Sequence, residues 1–240
     1  MKLEGRTVFL TGAAGGIGRE LIAALRRRGA ARIYAADITA PRTEAGVSAL
    51  ALDITDPAAV AAAAAMAGDT EILINNAGVN LRAGFIASAD LAPARREMEV
   101  NFFGTLAMCR AFAPVLAARG GGAIVNVLSI LAKLTNPAVG TYCASKAALL
   151  RLTEGIRAEL AGQGTHVLAV MPWAVDTPMS GPFPGTKTAP GEVAEGILAA
   201  LERDAEEVYF HEKSDEINRR LATDPKGIER ELAKILPRRG

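Results

Sequence analysis

The sequence predicts an α/β fold in which helices cover both faces of a doubly wound parallel sheet of about seven strands. Short apolar runs alternate along the chain with longer runs of helical periodicity. Polar residues or Gly follow most of the apolar runs, as expected where parallel strands end at one shared edge. We expect a single domain over residues 1–240, because 240 residues, half of them hydrophobic, can fill one large core.

The first apolar run leads into a Gly-rich turn. Strand Arg6–Leu10 is followed by the turn Thr11–Gly18 and by an amphipathic helix to about Gly29. Glycines let the backbone turn sharply and approach a ligand, and free amides at a helix start attract a pyrophosphate. Many tight turns use Gly for geometry alone, so this turn by itself does not establish a cofactor site.

The second strand, Arg32–Ala36, ends at Asp37, about 20 residues after the glycines, where a dinucleotide fold places an acid against the ribose hydroxyls. A carboxylate here would repel a 2′-phosphate, and Ile38 follows it rather than an arginine. Asp37 therefore favours NAD(H) over NADP(H). The alternative is a turn acid, which Asp commonly supplies at strand ends.

The following elements repeat the alternation of strands and helices. In the next helix Asp56 is the predicted N-cap and Pro57 the first residue. The long helical segment 91–119 contains Asn101, which is disfavoured inside a helix and predicts a kink or a polar site. The remaining predicted strands are Gly46–Leu52, Glu71–Ile74, Gly122–Leu128, Thr165–Met171 and Glu207–Phe210, and the remaining helices run to about Met66 and Ala161, over Gly191–Leu201, and twice within 212–236.

A reaction centre is predicted where Ser129 leaves the fifth strand and a helix opens around Tyr142. Side chains four residues apart share one face of a helix, so Tyr142 and Lys146 project into the same space. The ammonium of Lys146 is expected to lower the pKa of the phenol, which makes Tyr142 a candidate general acid and base. This spacing alone is also typical of a solvated surface pair.

Charge and cysteine content exclude several classes of function. Lys and Arg number 27 against 26 Asp and Glu, so we expect a small-molecule substrate and neither nucleic acid nor a membrane as partner. The chain start lacks the apolar stretch of a secretory signal, and we expect no later run to span a bilayer. Cys109 and Cys143 lack metal-ligand spacing, so we expect no metal site, inert buried thiols and a cytoplasmic location.

Taken together, these motifs resemble the classical short-chain dehydrogenase/reductase family over Thr11 to Thr177. The matching pieces are Thr-Gly-x-x-x-Gly-Ile-Gly at the first turn, Asn-Asn-Ala-Gly after the fourth strand, Asn101, and Ser129 thirteen residues before Tyr-x-x-x-Lys. The resemblance implies a single-domain Rossmann-type fold, a nicotinamide cofactor and an oligomer, either a tetramer or a dimer.

The resemblance also implies residue roles. Tyr142 would exchange a proton with the substrate oxygen, Ser129 would hydrogen-bond that oxygen, Lys146 would hold the nicotinamide ribose, and Asn101 would organise a proton-carrying water. The family pattern further implies a cofactor site formed by Gly12, Gly16, Ile17, Gly18, Asp37, Asp53, Ile54, Asn76, Ala77, Gly78, Tyr142, Lys146, Pro172 and Thr177.

One residue departs from the family pattern, which has Pro-Gly where this chain has Pro172-Trp173. We expect the indole either to narrow the substrate pocket or to pack in the core or an interface. Leu131 and Met179 are further candidate pocket residues. The segment 180–190 is rich in Gly, Pro, Ser and Thr and is predicted to be a mobile substrate loop.

The sequence as a whole is typical of an NAD(H)-dependent alcohol dehydrogenase or ketone reductase. One alternative is a 3-oxoacyl thioester reductase, which would be expected to use NADPH and which Asp37 disfavours. The other is a catalytically idle dinucleotide-binding sensor or scaffold, which the complete Ser129, Tyr142 and Lys146 set disfavours.

Overall fold

Seven parallel strands form one sheet in the computed structural model, which describes residues 1–41, 45–181, 183 and 185–237. Their spatial order is β3-β2-β1-β4-β5-β6-β7, so the order reverses between β1 and β4. This confirms the predicted doubly wound sheet. The strands are β1 Thr7–Thr11, β2 Arg32–Asp37, β3 Val47–Ala51, β4 Ile72–Asn75, β5 Ala123–Val127, β6 His166–Pro172 and β7 Glu207–Phe210.

Helices cover both faces of the sheet, as predicted. Alternate residues of each strand face opposite layers: Val8 and Leu10 pack under the helices Gly16–Arg27 and Pro190–Glu202, whereas Phe9 packs under the helices Pro57–Met66 and Thr105–Ala118. Burial on both faces explains why the strands read as continuous apolar runs. The helices are α1 Gly16–Arg27, α2 Pro57–Met66, α3 Ala92–Met98, α4 Thr105–Ala118, α5 Gly140–Leu160, α6 Pro190–Glu202, α7 Glu212–Thr223 and α8 Pro225–Leu232.

The predicted elements all form, and most ends shift by one or two residues, but the last helix ends at Leu232 rather than near Leu236. The N-cap prediction for α2 is confirmed, since the Asp56 carboxylate accepts from the amides of Ala58 and Ala59 at 2.9 and 3.2 Å. Short 3₁₀ turns at Ile130–Ala132, Pro137–Val139, Ala161–Gln163 and Pro178–Ser180 were not predicted.

The long helical segment is irregular at Asn101, as predicted. Between α3 and α4 the chain forms a π-helix over Glu99–Gly104, which continues into α4 without a break. The Asn101 side chain is fully buried there and bonds to groups outside its own helix. The local distortion is thus associated with an inward-facing polar side chain.

The expectation that no later run could span a bilayer was too strong. Residues 92–118 form a helix that is long and apolar enough to do so by length and composition. In this fold, however, Met108, Phe112 and Leu116 of the segment are fully buried in the layer that packs on the sheet. Burial in the core accounts for part of its apolar composition, since 44% of the most apolar stretch is buried.

The C-terminal segment adds α7 and α8, joined at Asp224, whose carboxylate accepts from the Gly227 amide at 2.9 Å. Ile217 and Ile228 of these helices form a small apolar cluster with Ile130. The predicted mobile loop 180–190 lies partly outside the described residues. Within the described part, Lys187 reaches Asp176 and the Gly181 carbonyl, at 3.3 and 2.9 Å.

Candidate active site

A cavity of about 940 Å³ opens at the edge where the parallel strands end. It extends from the start of α1 and Asp37, past Tyr142, to Trp173 and the C-terminal helices. This is the position expected for a ligand in a doubly wound sheet, at the point where the strand order reverses.

The start of α1 can accept an anion. Its N-cap is Gly15, which has no capping side chain, and the first turn carries no acidic residue, so no side chain competes for the first amides. Gly12 has φ of 65°, and a Cβ there would lie 2.8 Å from the backbone of Ala77. The turn therefore needs glycine at this position to pass close to the chain after β4.

The ends of β1 and β4 are joined by hydrogen bonds. The buried Thr11 Oγ1 accepts from the amides of Asn76 and Ala77, both at 3.1 Å. The Asn76 side chain donates to the carbonyls of Thr11 and Gly12, at 3.1 and 2.9 Å. These bonds fix the Gly-rich turn relative to the neighbouring strand end.

Asp37 lies where a ribose-binding acid is expected. Its carboxylate accepts from the amides of Ala14 and Ile38, at 2.9 and 2.8 Å, and lines the cavity beside the Gly-rich turn. Asp53 and Ile54 line the same end of the cavity. Hydrogen bonds from the backbone and hydroxyl of Thr55 hold the pKa of Asp53 below its usual value.

Ser129, Tyr142 and Lys146 meet on the cavity wall where β5 ends and α5 begins. The Nζ of Lys146 lies 5.8 Å from the centre of the Tyr142 ring and donates to the Val127 carbonyl at 2.9 Å. Ser129 Oγ accepts from the Leu131 amide at 3.2 Å. All three side chains are at most 8% exposed.

Burial sets the acidity of this group. Burial raises the pKa of Tyr142 above its usual value. The neighbouring Cys143 and Glu97 raise this pKa further, whereas the hydrogen bond with Ser129 lowers it. The expectation that the pKa of Tyr142 is lowered is therefore wrong in its net direction, because burial disfavours the phenolate. Burial also lowers the pKa of Lys146 to about 8.

Asn101 lies behind the wall of the cavity. Its Oδ1 accepts from the Val79 amide at 2.8 Å, and its Nδ2 donates to the Val79 carbonyl and to Ser145 Oγ, both at 2.9 Å. A Cβ at Gly78 would lie 3.0 Å from Asn101 Oδ1 and 3.4 Å from Lys146 Nζ. Asn101 thus connects the segment after β4 to the helix that carries Tyr142.

The far end of the cavity is mostly apolar. Trp173 lines it, packs edge to face on Phe183 with ring centres 5.9 Å apart, and also contacts the cluster formed with α7 and α8. The indole therefore combines both expected placements, cavity wall and packing. Leu131, Leu134, Met179, Ile217, Leu232 and Ile235 complete this wall.

The structure brings most of the predicted site residues to one cavity, apart from Asn101 and Gly18, which lie behind its wall. Gly18 packs beneath the turn, where a Cβ would lie 2.2 Å from the Gly12 carbonyl oxygen. The predicted residues that line the cavity are Gly12, Gly16, Ile17, Asp37, Asp53, Ile54, Asn76, Ala77, Gly78, Ser129, Leu131, Tyr142, Lys146, Pro172, Trp173, Thr177 and Met179.

Sequence reasoning missed several polar residues that support the site. Thr11 was assigned only to the turn, and Asn126, which joins Asn75 to α5, was assigned only to a strand. Glu97 was not singled out, although an acid one helical turn before Asn101 is a signal that could have drawn attention to it. In the described part of the chain no group of three or more potential ligands could hold a metal ion.

Comparison with known proteins identifies the family. The family model described as short chain dehydrogenase matches residues 6–187. The chain belongs to the short-chain dehydrogenase family. It is thus an oxidoreductase, and the resemblance noted in the sequence is confirmed.

Several solved or curated members are similar over most of the chain. A short-chain dehydrogenase from Burkholderia cenocepacia, solved in complex with NADP, is 44% identical, with a TM-score of 0.93 over 97% of this chain and 99% of that one. The 3-ketoacyl-(acyl-carrier-protein) reductase from Brucella melitensis, complexed with NADH, is 27% identical, with a TM-score of 0.79 over 86% and 98%. A sorbitol dehydrogenase from Cereibacter sphaeroides is 37% identical over 73% of each chain.

Proposed function

We propose that this short-chain dehydrogenase interconverts a secondary alcohol and a ketone with NAD(H), using Tyr142 as general acid and base. The observation that carries the proposal is the convergence of Ser129, Tyr142 and Lys146 in one cavity with the Gly-rich helix start. A silent binding domain would need only the cofactor-binding end of that cavity. The scaffold alternative is therefore disfavoured.

The residues present fit a nicotinamide dinucleotide. The uncapped start of α1 would hold the pyrophosphate, Asp37 the adenosine ribose, and Lys146 the ribose next to the nicotinamide. When bound, the cofactor supplies or accepts the hydride. The contribution of the protein is to orient the substrate and to move its proton.

During reduction the Tyr142 hydroxyl donates its proton to the substrate oxygen, and Ser129 donates a hydrogen bond to the same atom. The raised pKa of Tyr142 keeps the phenol protonated before a charge develops on that oxygen. Oxidation is the reverse transfer, in which Tyr142, as the phenolate, accepts the proton of the alcohol. Lys146, whose pKa of about 8 lies near neutral pH, can then exchange protons with its surroundings.

The cofactor preference is proposed to be NAD(H). Asp37 presents a carboxylate at the ribose end of the cavity, where a 2′-phosphate would meet like charge. The similar Burkholderia protein is in complex with NADP, so the preference needs a direct comparison of the two cofactors. A 3-oxoacyl thioester reductase using NADPH is the second candidate. The similarity to the Brucella reductase supports the thioester substrate but not the NADPH, because that structure holds NADH.

The test is NADH consumption with a panel of ketones, comparing the wild-type protein with Tyr142→Phe. Loss of a positioned acid should lower kcat about 100-fold or more, with binding of NADH retained. NADPH and a 3-oxoacyl thioester are run in parallel, and a preference for that pair would favour the second candidate. Equal ketone rates in the two proteins would contradict the mechanism.

Three broader expectations accompany the proposal: a small-molecule substrate, a cytoplasmic location and a homo-oligomer, either a dimer or a tetramer. The first is supported by the volume of the cavity and by its largely apolar far end.

A further inference from the structure

The segment formed by residues 79–83, here called the front turn, is held at both ends by hydrogen bonds, although Leu81 and Arg82 at its centre are exposed. Its first residue, Val79, exchanges two hydrogen bonds with Asn101. Its last residue, Ala83, accepts from both the amide and the hydroxyl of Thr141, at 3.2 and 3.1 Å. The front turn is therefore anchored at each end to the helices that flank the reaction centre.

The middle of the front turn is held by a buried acid. Glu97 is fully buried, and its Oε1 accepts from the Leu81 amide at 2.7 Å, whereas its Oε2 has no partner among the described residues. Placing a carboxyl group in the core is costly. Here the Glu97 carboxylate fixes the backbone amide of Leu81, the residue immediately before Arg82.

Arg82 itself has a strained backbone. Its φ is 55°, a left-handed conformation that few residues other than Gly adopt, and its amide donates to Asn80 Oδ1 at 2.9 Å. Strain of this kind persists only where the surroundings enforce it, and it is common at ligand sites. The bonds to Asn101, Glu97 and Thr141 provide that enforcement.

The Arg82 side chain reaches across the mouth of the cavity. Its Nη2 donates to the Met179 carbonyl at 3.1 Å, and a Cβ added to Gly181 would lie 1.7 Å from that nitrogen. The guanidinium thus packs directly on a glycine backbone. Its remaining N–H groups have no acceptor, and it has no carboxylate partner, in the part of the chain that the structure describes.

Charge along the cavity is distributed unevenly. The acids that line it, Asp37 and Asp53, lie at the cofactor end, together with Arg19 of α1 and Arg96, which interacts with Asp53. Among the described residues, Arg82 is the only charged side chain that lines the far end beside Met179, where the wall is mostly apolar. A substrate in that end meets one cation and a large apolar surface.

We propose that Arg82 is a specificity-determining residue that binds a carboxylate on the substrate, so that the preferred ketone is a keto acid with an apolar body. A guanidinium edge matches a carboxylate geometrically. A phosphate would be expected to draw on more than one cation or on a helix start. The other cation that contacts Gly181, Lys187, is already bound to Asp176 and to the Gly181 carbonyl and does not line the cavity. The inference rests on the proposed function, and it names the substrate class of the same site.

The test compares medium-chain keto acids of increasing length with their methyl esters, in wild type, Arg82→Met and Arg82→Lys. The wild-type protein should prefer the acids. Arg82→Met should lower kcat/KM for the acids about tenfold or more, mainly through KM, and leave the esters nearly unchanged. Arg82→Lys should recover part of the preference, and added salt should weaken it.

Two further variants sharpen the comparison. Arg95→Met, an equivalent change on the exposed face of α3 away from the cavity, should behave as wild type. Gly181→Ala should displace the guanidinium and reproduce the loss of acid preference without changing Arg82 itself.

A binding measurement separates this proposal from the proposed function. In calorimetry with NAD⁺ present, the acids should bind wild type more tightly than Arg82→Met. The role of Arg82 would be overturned by any of three results. These are equal binding of the keto acids by wild type and Arg82→Met, an equal loss of kcat/KM for the keto acids and their methyl esters in Arg82→Met, or a preference of wild type for the esters. In each of those cases the proposed function would remain intact if the ketone group of the methyl esters were still reduced in a reaction that depends on Tyr142.

Discussion

Lys146 shows how burial changes the chemistry of a motif residue. It is 4% exposed, and among the described residues its ammonium donates one hydrogen bond, to the Val127 carbonyl. Burial disfavours its charged form and lowers the pKa from 10.5 to about 8. The site thus holds an amine that is easily deprotonated, at a cost to the stability of the folded protein.

Because the charged form of Lys146 is disfavoured in the folded state, the unfolding free energy should depend on pH. Below pH 8 the folded protein contains a charged, buried Lys146, whereas above pH 10.5 the amine is neutral in both folded and unfolded states. Relative to Lys146→Met, the wild-type protein should therefore gain about 3 kcal/mol of unfolding free energy as the pH rises through this window. Urea denaturation of both proteins across the window measures the difference, and parallel curves would contradict the prediction.

The sequence predicted the identity of the reacting residues better than their environment. Tyr142, Lys146 and Ser129 were predicted from spacing, since helix geometry alone brings positions four apart together. The direction of the Tyr142 pKa could not be predicted, because it depends on burial that only the packed structure defines. Arg82 gave no signal either, since its left-handed φ arises from tertiary contacts.

The elements after β6 determine the far end of the cavity. Trp173 follows that strand directly and packs on Phe183 and on the cluster that includes Ile217 and Ile228. This single side chain connects the substrate end of the cavity to the C-terminal helices. Those helices are therefore part of the cavity wall, in addition to any effect on assembly.

Replacing Trp173 with Gly should both widen the cavity and loosen that connection. We expect kcat/KM to rise for bulky ketones relative to small ones, and the unfolding free energy to fall by about 3 kcal/mol. Trp173→Phe is the matched control, because it retains an aromatic contact. An unchanged ranking of ketones would show that the indole has only a packing role.

The existence of the elements was predictable, but their irregularities were only partly so. An Asn inside an apolar helical run predicted a distortion, and the π-helix Glu99–Gly104 is found there. The 3₁₀ turns at Ile130–Ala132 and Pro137–Val139 were missed, because each is a single turn and no helical period can be recognised over three residues.

At the scale of the molecule, two apolar layers enclose a single sheet, and the cofactor end of the cavity connects β1, β2 and β4. The sequence predicted this arrangement because parallel strands with short connections permit few topologies. The contributions of α7 and α8 to the cavity could not be predicted, since their direction relative to the sheet has no local signal.

A ligand that binds across several strand ends should stabilise the whole sheet. At 100 times the dissociation constant, NAD⁺ should add about 2.7 kcal/mol to the unfolding free energy, seen as a higher Tm of one cooperative transition. NADP⁺ at the same concentration should raise the Tm less, and Asp37→Ser should remove that difference. A larger shift with NADP⁺ in wild type would contradict the proposed preference.

The side chains that converge on the cavity belong to strand ends, turns and helices spread from Gly12 to Ile235, and none of the intervening segments carries the complete set. Contacts between such distant positions form slowly, because long loops must close first. Turnover will consequently be among the last properties to return when the denatured chain is refolded. During refolding, enzymatic activity should therefore recover later than the circular dichroism signal of the helices, and its recovery reports when the sheet is complete.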